Sequence, residues 1–203
     1  PMGFYTPAQL IQDARRHGVT VLPIDVNHSN WDHQLLDDGR AGARAPMRLG
    51  LRLIKGLAHD AAERISAARK QAPFRQIADL RRRAALDRKA MEALVDGDAL
   101  ASLSGNRHQA RWNVMAQEPE RPLLAYEHNA TPEELSDAVQ LPPPAVAEAV
   151  LADYQSTGLS LRAHPLALLR EAPPFSTCKR HADLDALGDG RFVRIAGLVT
   201  CRQ

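Results

Sequence analysis

Lys55-Gly56 interrupts an apolar run and leaves the chain little freedom around it. Leu49, Leu51, Leu53 and Ile54 approach the pair from one side. Beyond it Ala61, Ile65 and Ala68 recur at i, i+4 and i+7, which sets them on one helical face. Glycine at 56 breaks the run where a tight turn needs a residue free to take positive φ. The expected pattern between Leu49 and Ile65 is helix, glycine hairpin, helix.

Such a pattern resembles a helix-hairpin-helix motif, in which the hairpin N–H groups and the second helix's N-terminus face a nucleic-acid phosphate. Free N–H groups and a positive helix-dipole end make an anion site, and Lys55 adds a charge beside the glycine. The motif usually carries a second glycine or small residue two places on, which here is Ala58. Lys55, Gly56, Leu57 and Ala58 are therefore the candidate DNA contacts, with Arg48, Arg52 and Arg64 as a basic surround. An ordinary helical hairpin with a glycine turn would show the same spacing. Charge bears on the choice, although a basic face is often merely solvated. The net charge is only +2, yet residues 40–90 hold 14 Lys/Arg against 4 Asp/Glu, a local +10 that the remaining −8 hides. A basic block centred on a hairpin is the footprint of a polyanion partner.

Aromatic residues make up only 4% of the chain, which suits Ala/Leu helices better than sheets. Two cysteines, Cys178 and Cys201, imply no disulfide framework and fit a reducing cytoplasm. No apolar stretch reaches membrane-spanning length and no signal peptide opens the chain. Thr6-Pro7-Ala8-Gln9 reads as a capped helix start, ending at Gly18. Val19–Val26, broken by Pro23, reads as a short edge strand. Trp31–Leu36 and Met47–Leu51 read as two strands around a turn at Asp37–Arg40. Phe74–Arg83 gives a short helix, and Asp87 caps another whose inner face is Met91, Leu94 and Val95. That helix meets Gly97 and restarts over Ala99–Leu103, repeating the motif in degenerate form. Asp96 and Asp98 flank Gly97 and would repel a phosphate, so this second hairpin is expected to be structural. Asn106–Ala116 extends the helical region. A Pro/Glu-rich linker follows, with a short helix from Thr131 to Val139; helices over Val146–Tyr154 and from His164-Pro165 and a β-rich Phe192–Thr200 come after it.

Gly3-Phe4-Tyr5-Thr6-Pro7, Asp25-Val26-Asn27, Gly50-Leu51 with Ile54-Lys55-Gly56-Leu57, and Pro73-Phe74 resemble the bacterial DNA polymerase III alpha subunits, the C-family polymerases. Trp31-Asp32 and Ala152-Asp153-Tyr154, followed by Thr157-Gly158-Leu159-Ser160-Leu161 and His164-Pro165, resemble the error-prone, damage-inducible branch. Arg194–Thr200 with Arg202-Gln203 is similar to the opening of that family's oligonucleotide-binding (OB) domain. The resemblance implies a C-terminal portion of an enzyme that adds deoxynucleotides opposite a template, across lesions, in DNA repair. It implies the end of the fingers region at 1–38, a tandem helix-hairpin-helix region at 39–116, a linker with short helices at 117–190 and the start of an OB-fold at 191–203. The implied fold is mainly α, with a short β-hairpin before the tandem motif, a Pro-rich linker and the first strand of a truncated OB-fold. Mg2+ is expected for the full polymerase, on palm carboxylates expected upstream of Pro1, so no catalytic and no metal residue is expected in this chain, which should be inactive alone. The expected partners are primer-template DNA and other translesion-synthesis subunits. Two departures stand out. His59 occupies a place where the family often has a capping residue, and no sliding-clamp peptide follows Trp112.

Other chemistry finds little support. His28, Asp32 and His33 match no dependable metal spacing, and Cys178 with His181 is half of a zinc pattern. The alternative function is a non-catalytic helical module that docks other proteins of a DNA repair complex.

Overall fold

The computed structural model describes residues 5–36, 45–116 and 139–199. The turn at Asp37–Arg40 and the helix from Thr131 fall largely outside them. Helix α1 (Pro7–Arg16) begins as its sequence requires: Thr6 accepts from the Gln9 N–H at 3.3 Å, and the Gln9 side chain accepts from the Thr6 N–H at 2.8 Å. Gly18 closes it in the left-handed region at φ 81°.

Three two-residue strands follow, β1 (Val21–Leu22), β2 (Gln34–Leu35) and β3 (Met47–Arg48), in the order β1-β3-β2. β1 is parallel to β3 and β2 antiparallel to it, so β1 is the edge strand that Pro23 foretells. Both hairpin strands are shorter than expected, because the chain leaves the sheet at Gly50. A Cβ there would lie 2.3 Å from the Trp31 carbonyl oxygen, so only glycine permits the approach.

The helical body comprises α2 (His59–Gln71), α3 (Ile77–Arg83), α4 (Arg88–Asp96), α5 (Ala101–Ser104), α6 (Arg107–Ala116), α7 (Val146–Thr157) and α8 (Pro165–Leu169). Asp87 caps α4, its carboxylate accepting from the Ala90 N–H at 2.8 Å. One apolar core runs through this body. Ile54, Leu57, Ile65, Leu80, Leu86, Met91, Leu94 and Leu100 are buried in it, Phe74 and Ile77 join them, and Leu53 packs at the margin. The architecture is mainly α with a small sheet.

Three expectations need correction. The limb before Gly56 is a single 3-10 turn, Leu51–Leu53, and not a helix. Its N–H groups point away from a helical ladder: Leu51 donates to the Asn30 carbonyl at 2.8 Å and Arg52 to that of Trp31 at 3.1 Å. Past Gly97 the helix resumes at Ala101 rather than Ala99, since Asp98 sits at φ 54° and Ala99 donates back to Leu94. Finally, the stretch expected as a linker is more than a connector between 146 and 161. Ala149, Val150 and Leu159 are buried, and α7 packs on α4. Toward the end, Phe192–Val199 is extended and exposed, and Ile195 forms one parallel bridge with Lys179.

Candidate nucleic-acid interface

Gly56 turns the chain at φ 84° with open space where a side chain would stand. Helix α2 then starts at His59 behind Ala58, which has no side chain able to cap it. Among the described residues the N–H groups of Gly56, Ala58, His59 and Asp60 have no protein acceptor. Leu57 differs: it is buried, and its N–H closes the turn onto the Ile54 carbonyl at 3.3 Å. Open donors on an exposed turn and at a helix N-terminus are an arrangement to which an anion can bond.

The second hairpin has the same outline and opposite chemistry. Three of its four turn N–H groups are spent internally, Gly97 on Ala93, Asp98 on Val95 and Ala99 on Leu94, at 2.9–3.0 Å; that of Leu100 has no acceptor among the described residues. Gly97 has an ordinary φ of −76° and serves shape instead: an added Cβ would stand 2.8 Å from Cδ1 and Cγ1 of Ile54. The two hairpins thus meet back to back. The flanking carboxylates are neutralised, Asp96 by Arg111 at 2.6 Å and Asp98 by Arg162, with the Arg107 Nε 3.9 Å away. Ion pairing weakens the phosphate repulsion that bare aspartates would exert, and the spent amides of Gly97, Asp98 and Ala99 leave this turn fewer donors than the first.

The cations expected around the first hairpin divide by role. Lys55 lies on the C-terminus of α7: its N–H donates to the Ser156 carbonyl at 2.9 Å and its Nζ to that of Gln155 at 2.8 Å. A cation is favoured there by the negative end of the helix dipole, and the side chain remains exposed. Arg48, in the central strand β3, donates to the Pro23 carbonyl at 3.2 Å. Arg52 pairs with Asp32 at 2.6 Å in solvent. Arg64 turns its Nε onto the Ala84 carbonyl at 2.9 Å and braces the α3–α4 loop. His33 supports the approach to the turn, accepting the Gly50 N–H at Nδ1 over 2.9 Å. Burial, and then the Arg52 charge, lower its pKa below the ordinary histidine value, which keeps that nitrogen free to accept.

Some structural residues carried no usable sequence signal. Arg69 donates to the carbonyls of Val26 and Ser29 at 2.9 and 2.8 Å, stitching α2 to the turn at 25–30. Asp153 is buried on α7 and accepts from Arg107 at 2.6 Å, Arg162 at 2.7 Å and Ser160 at 2.7 Å. Asp153 belongs to the Ala152-Asp153-Tyr154 stretch that carries the family resemblance, but its sequence neighbours do not announce its ion pairs.

Three side chains, His59, Asp60 and Glu63, bring possible metal-ligand atoms within 4.8 Å of one another. All three are exposed, one is an imidazole, and they sit at the positive end of α2. That set does not fit the carboxylate cradle that magnesium requires.

A profile for the "Helix-hairpin-helix motif" matches residues 18–110. The chain is 47% identical, over its whole length, to proteins named error-prone DNA polymerase from Teredinibacter turnerae, Methylococcus capsulatus and Pseudomonas aeruginosa. It spans 19%, 20% and 19% of those relatives. No helix among the described residues is long and apolar enough to cross a membrane.

Proposed function

Matched end to end at this identity, the chain belongs to the error-prone DNA polymerases as a segment about a fifth of their length, and from that premise we propose that it is a DNA-binding portion of such an enzyme. The whole protein then adds deoxynucleotides opposite a template, in translesion synthesis during DNA repair. Its proposed setting is the cytoplasm, with other translesion subunits as further partners. Within the segment, residues 1–38 close the fingers region, 39–116 form the tandem hairpins, 117–190 lead onward with α7 docked back on the body, and 191–203 open an OB-fold. Any magnesium of the full polymerase is held by residues other than those described. The chain's own task is to hold primer-template DNA.

One observation carries this reading: the first hairpin presents open N–H donors on an exposed turn, while Gly97, Asp98 and Ala99 of the second spend theirs internally. A backbone phosphate would seat on Gly56, Ala58 and the first turn of α2. Amide donors grip any phosphate equally, so binding follows the backbone and ignores sequence, as a polymerase sliding along its product requires. Lys55, Arg48 and Arg52 supply the surrounding positive field, and Lys55 shares its charge between the phosphate and the end of α7.

Salt dependence of DNA binding tests the proposal. Lys55→Glu should weaken binding to all sequences alike and flatten the slope of log K against log salt by about one unit or more. Because Lys55 also caps α7, Arg48→Gln provides a variant that touches no helix end. It should flatten the slope by about one unit with an unchanged unfolding midpoint. Unaltered slopes in both variants would refute the assignment and favour protein docking as the role of this segment.

A further inference from the structure

Beside the phosphate site lies an aromatic corner that backbone gripping does not use. The rings of Trp31 and His59 meet edge to face, with centroids 4.7 Å apart and planes at 85°. They adjoin opposite limbs of the first hairpin. His59 is the first residue of α2, while the Trp31 backbone is fastened to the other limb through Arg52 N–H at 3.1 Å and its neighbour Asn30 through Leu51 N–H at 2.8 Å. A shallow groove opens along the pair, lined also by Asn30, Glu63, Ser66 and Lys70. Its wall is fixed in advance, because the Arg69 guanidinium holds the Val26 and Ser29 carbonyls and the Asn30 side-chain oxygen.

The groove's chemistry suits a flat heterocycle better than a phosphate. Glu63 stands 3.8 Å from the His59 ring and would oppose a phosphate lodged there. The same carboxylate, with the Asn30 amide, the Ser66 hydroxyl and the Lys70 ammonium, offers donors and acceptors suited to a base edge. Indole and imidazole supply the aromatic contact. A base inside a duplex is covered on both faces by its neighbours, so only an unpaired nucleotide can present its ring. We propose that this groove receives a nucleobase of the single strand adjoining the duplex, packed against Trp31, while the hairpin holds a neighbouring phosphate. The site rests on the DNA-binding reading above and adds to it a preference for junctions between duplex and single strand.

Tryptophan fluorescence tests this directly, since the chain has only one other tryptophan, Trp112. In a Trp112→Phe chain, a duplex with a short single-stranded overhang should quench Trp31 and a blunt duplex should not. Trp31→Ala should weaken overhang binding by about fivefold or more, the scale of one stacked base, and leave blunt-duplex affinity unchanged. Trp31→Phe preserves a flat ring and guards against misfolding; it should recover most of the overhang affinity. Equal losses on both DNAs, or no quenching by the overhang, would overturn the site while leaving the hairpin grip intact. Equal quenching by a free deoxynucleoside monophosphate would overturn the strand junction as its ligand. Failure of the unsubstituted chain to bind either DNA would defeat the DNA-binding reading itself, and this site with it.

Discussion

Gly97 and Ile54 are matched by shape, and that match fixes how the two hairpins sit. The φ of Gly97 is one any residue adopts, so Gly97→Ala introduces no backbone strain, only a Cβ 2.8 Å from two Ile54 carbons. Overpacking of this kind costs about 1–3 kcal/mol, and Ile54→Ala alone should cost about 2–5 kcal/mol through its cavity. In the double variant the new methyl enters the space Ile54 vacates, so urea unfolding should show the two costs adding to less than their sum by about 0.5 kcal/mol or more. Strict additivity would mean the hairpins relax independently. Single residues were legible in the sequence wherever their chemistry is local. Thr6, Asp87 and His164 cap the helices that their positions announce. Lys55 and Arg64 were legible as cations but not as caps and braces. What a long side chain touches depends on which distant carbonyls the fold brings near it, α7 for Lys55 and the α3–α4 loop for Arg64.

At the scale of elements, helices with strong periodicity were readable and the joints between them were not. α4 combines a cap, an apolar face and a terminal glycine in one local stretch, and all three signals agree. The limb before Gly56 has the leucines of a helix, yet it winds for one 3-10 turn because Asn30 and Trp31 take its donors. Those partners lie far back in sequence, beyond the reach of any periodicity. α7 shows the same limit: its start was visible, but it runs on to Thr157 rather than stopping at Tyr154, and its docking depends on Asp153 meeting Arg107 and Arg162. Both Arg107 and Asp153 are buried, so Asp153→Ala strands a guanidinium in the core. Breaking such a pair costs about 3–5 kcal/mol. Urea unfolding should register that loss, and amide exchange across Val146–Thr157 should accelerate more than across Arg88–Asp96. Unchanged protection in α7 would mean its apolar contacts suffice to hold it.

Across the whole molecule, the two hairpins differ in what they leave open, and the proposed function assigns binding to one and architecture to the other. One turn is exposed, basic in its surroundings and rich in open donors. The other is closed, ion-paired and pressed against the first through Gly97 and Ile54. The local charge of +10 falls on the region that holds both turns, and repeated glycines suggested that the two are related, but only the pattern of hydrogen bonds distinguishes them. α7 completes the arrangement by resting its C-terminus on Lys55 and reaching Asp98 through Arg162. The central claim, that DNA phosphate seats on the first hairpin alone, is tested most directly by amide NMR during titration with duplex DNA. The largest shifts are expected at the N–H groups of Gly56, Ala58, His59 and Asp60, while Gly97, Asp98 and Ala99 stay in place. Saturable DNA binding that moves Gly97–Ala99 and leaves Gly56–Asp60 unmoved would contradict it.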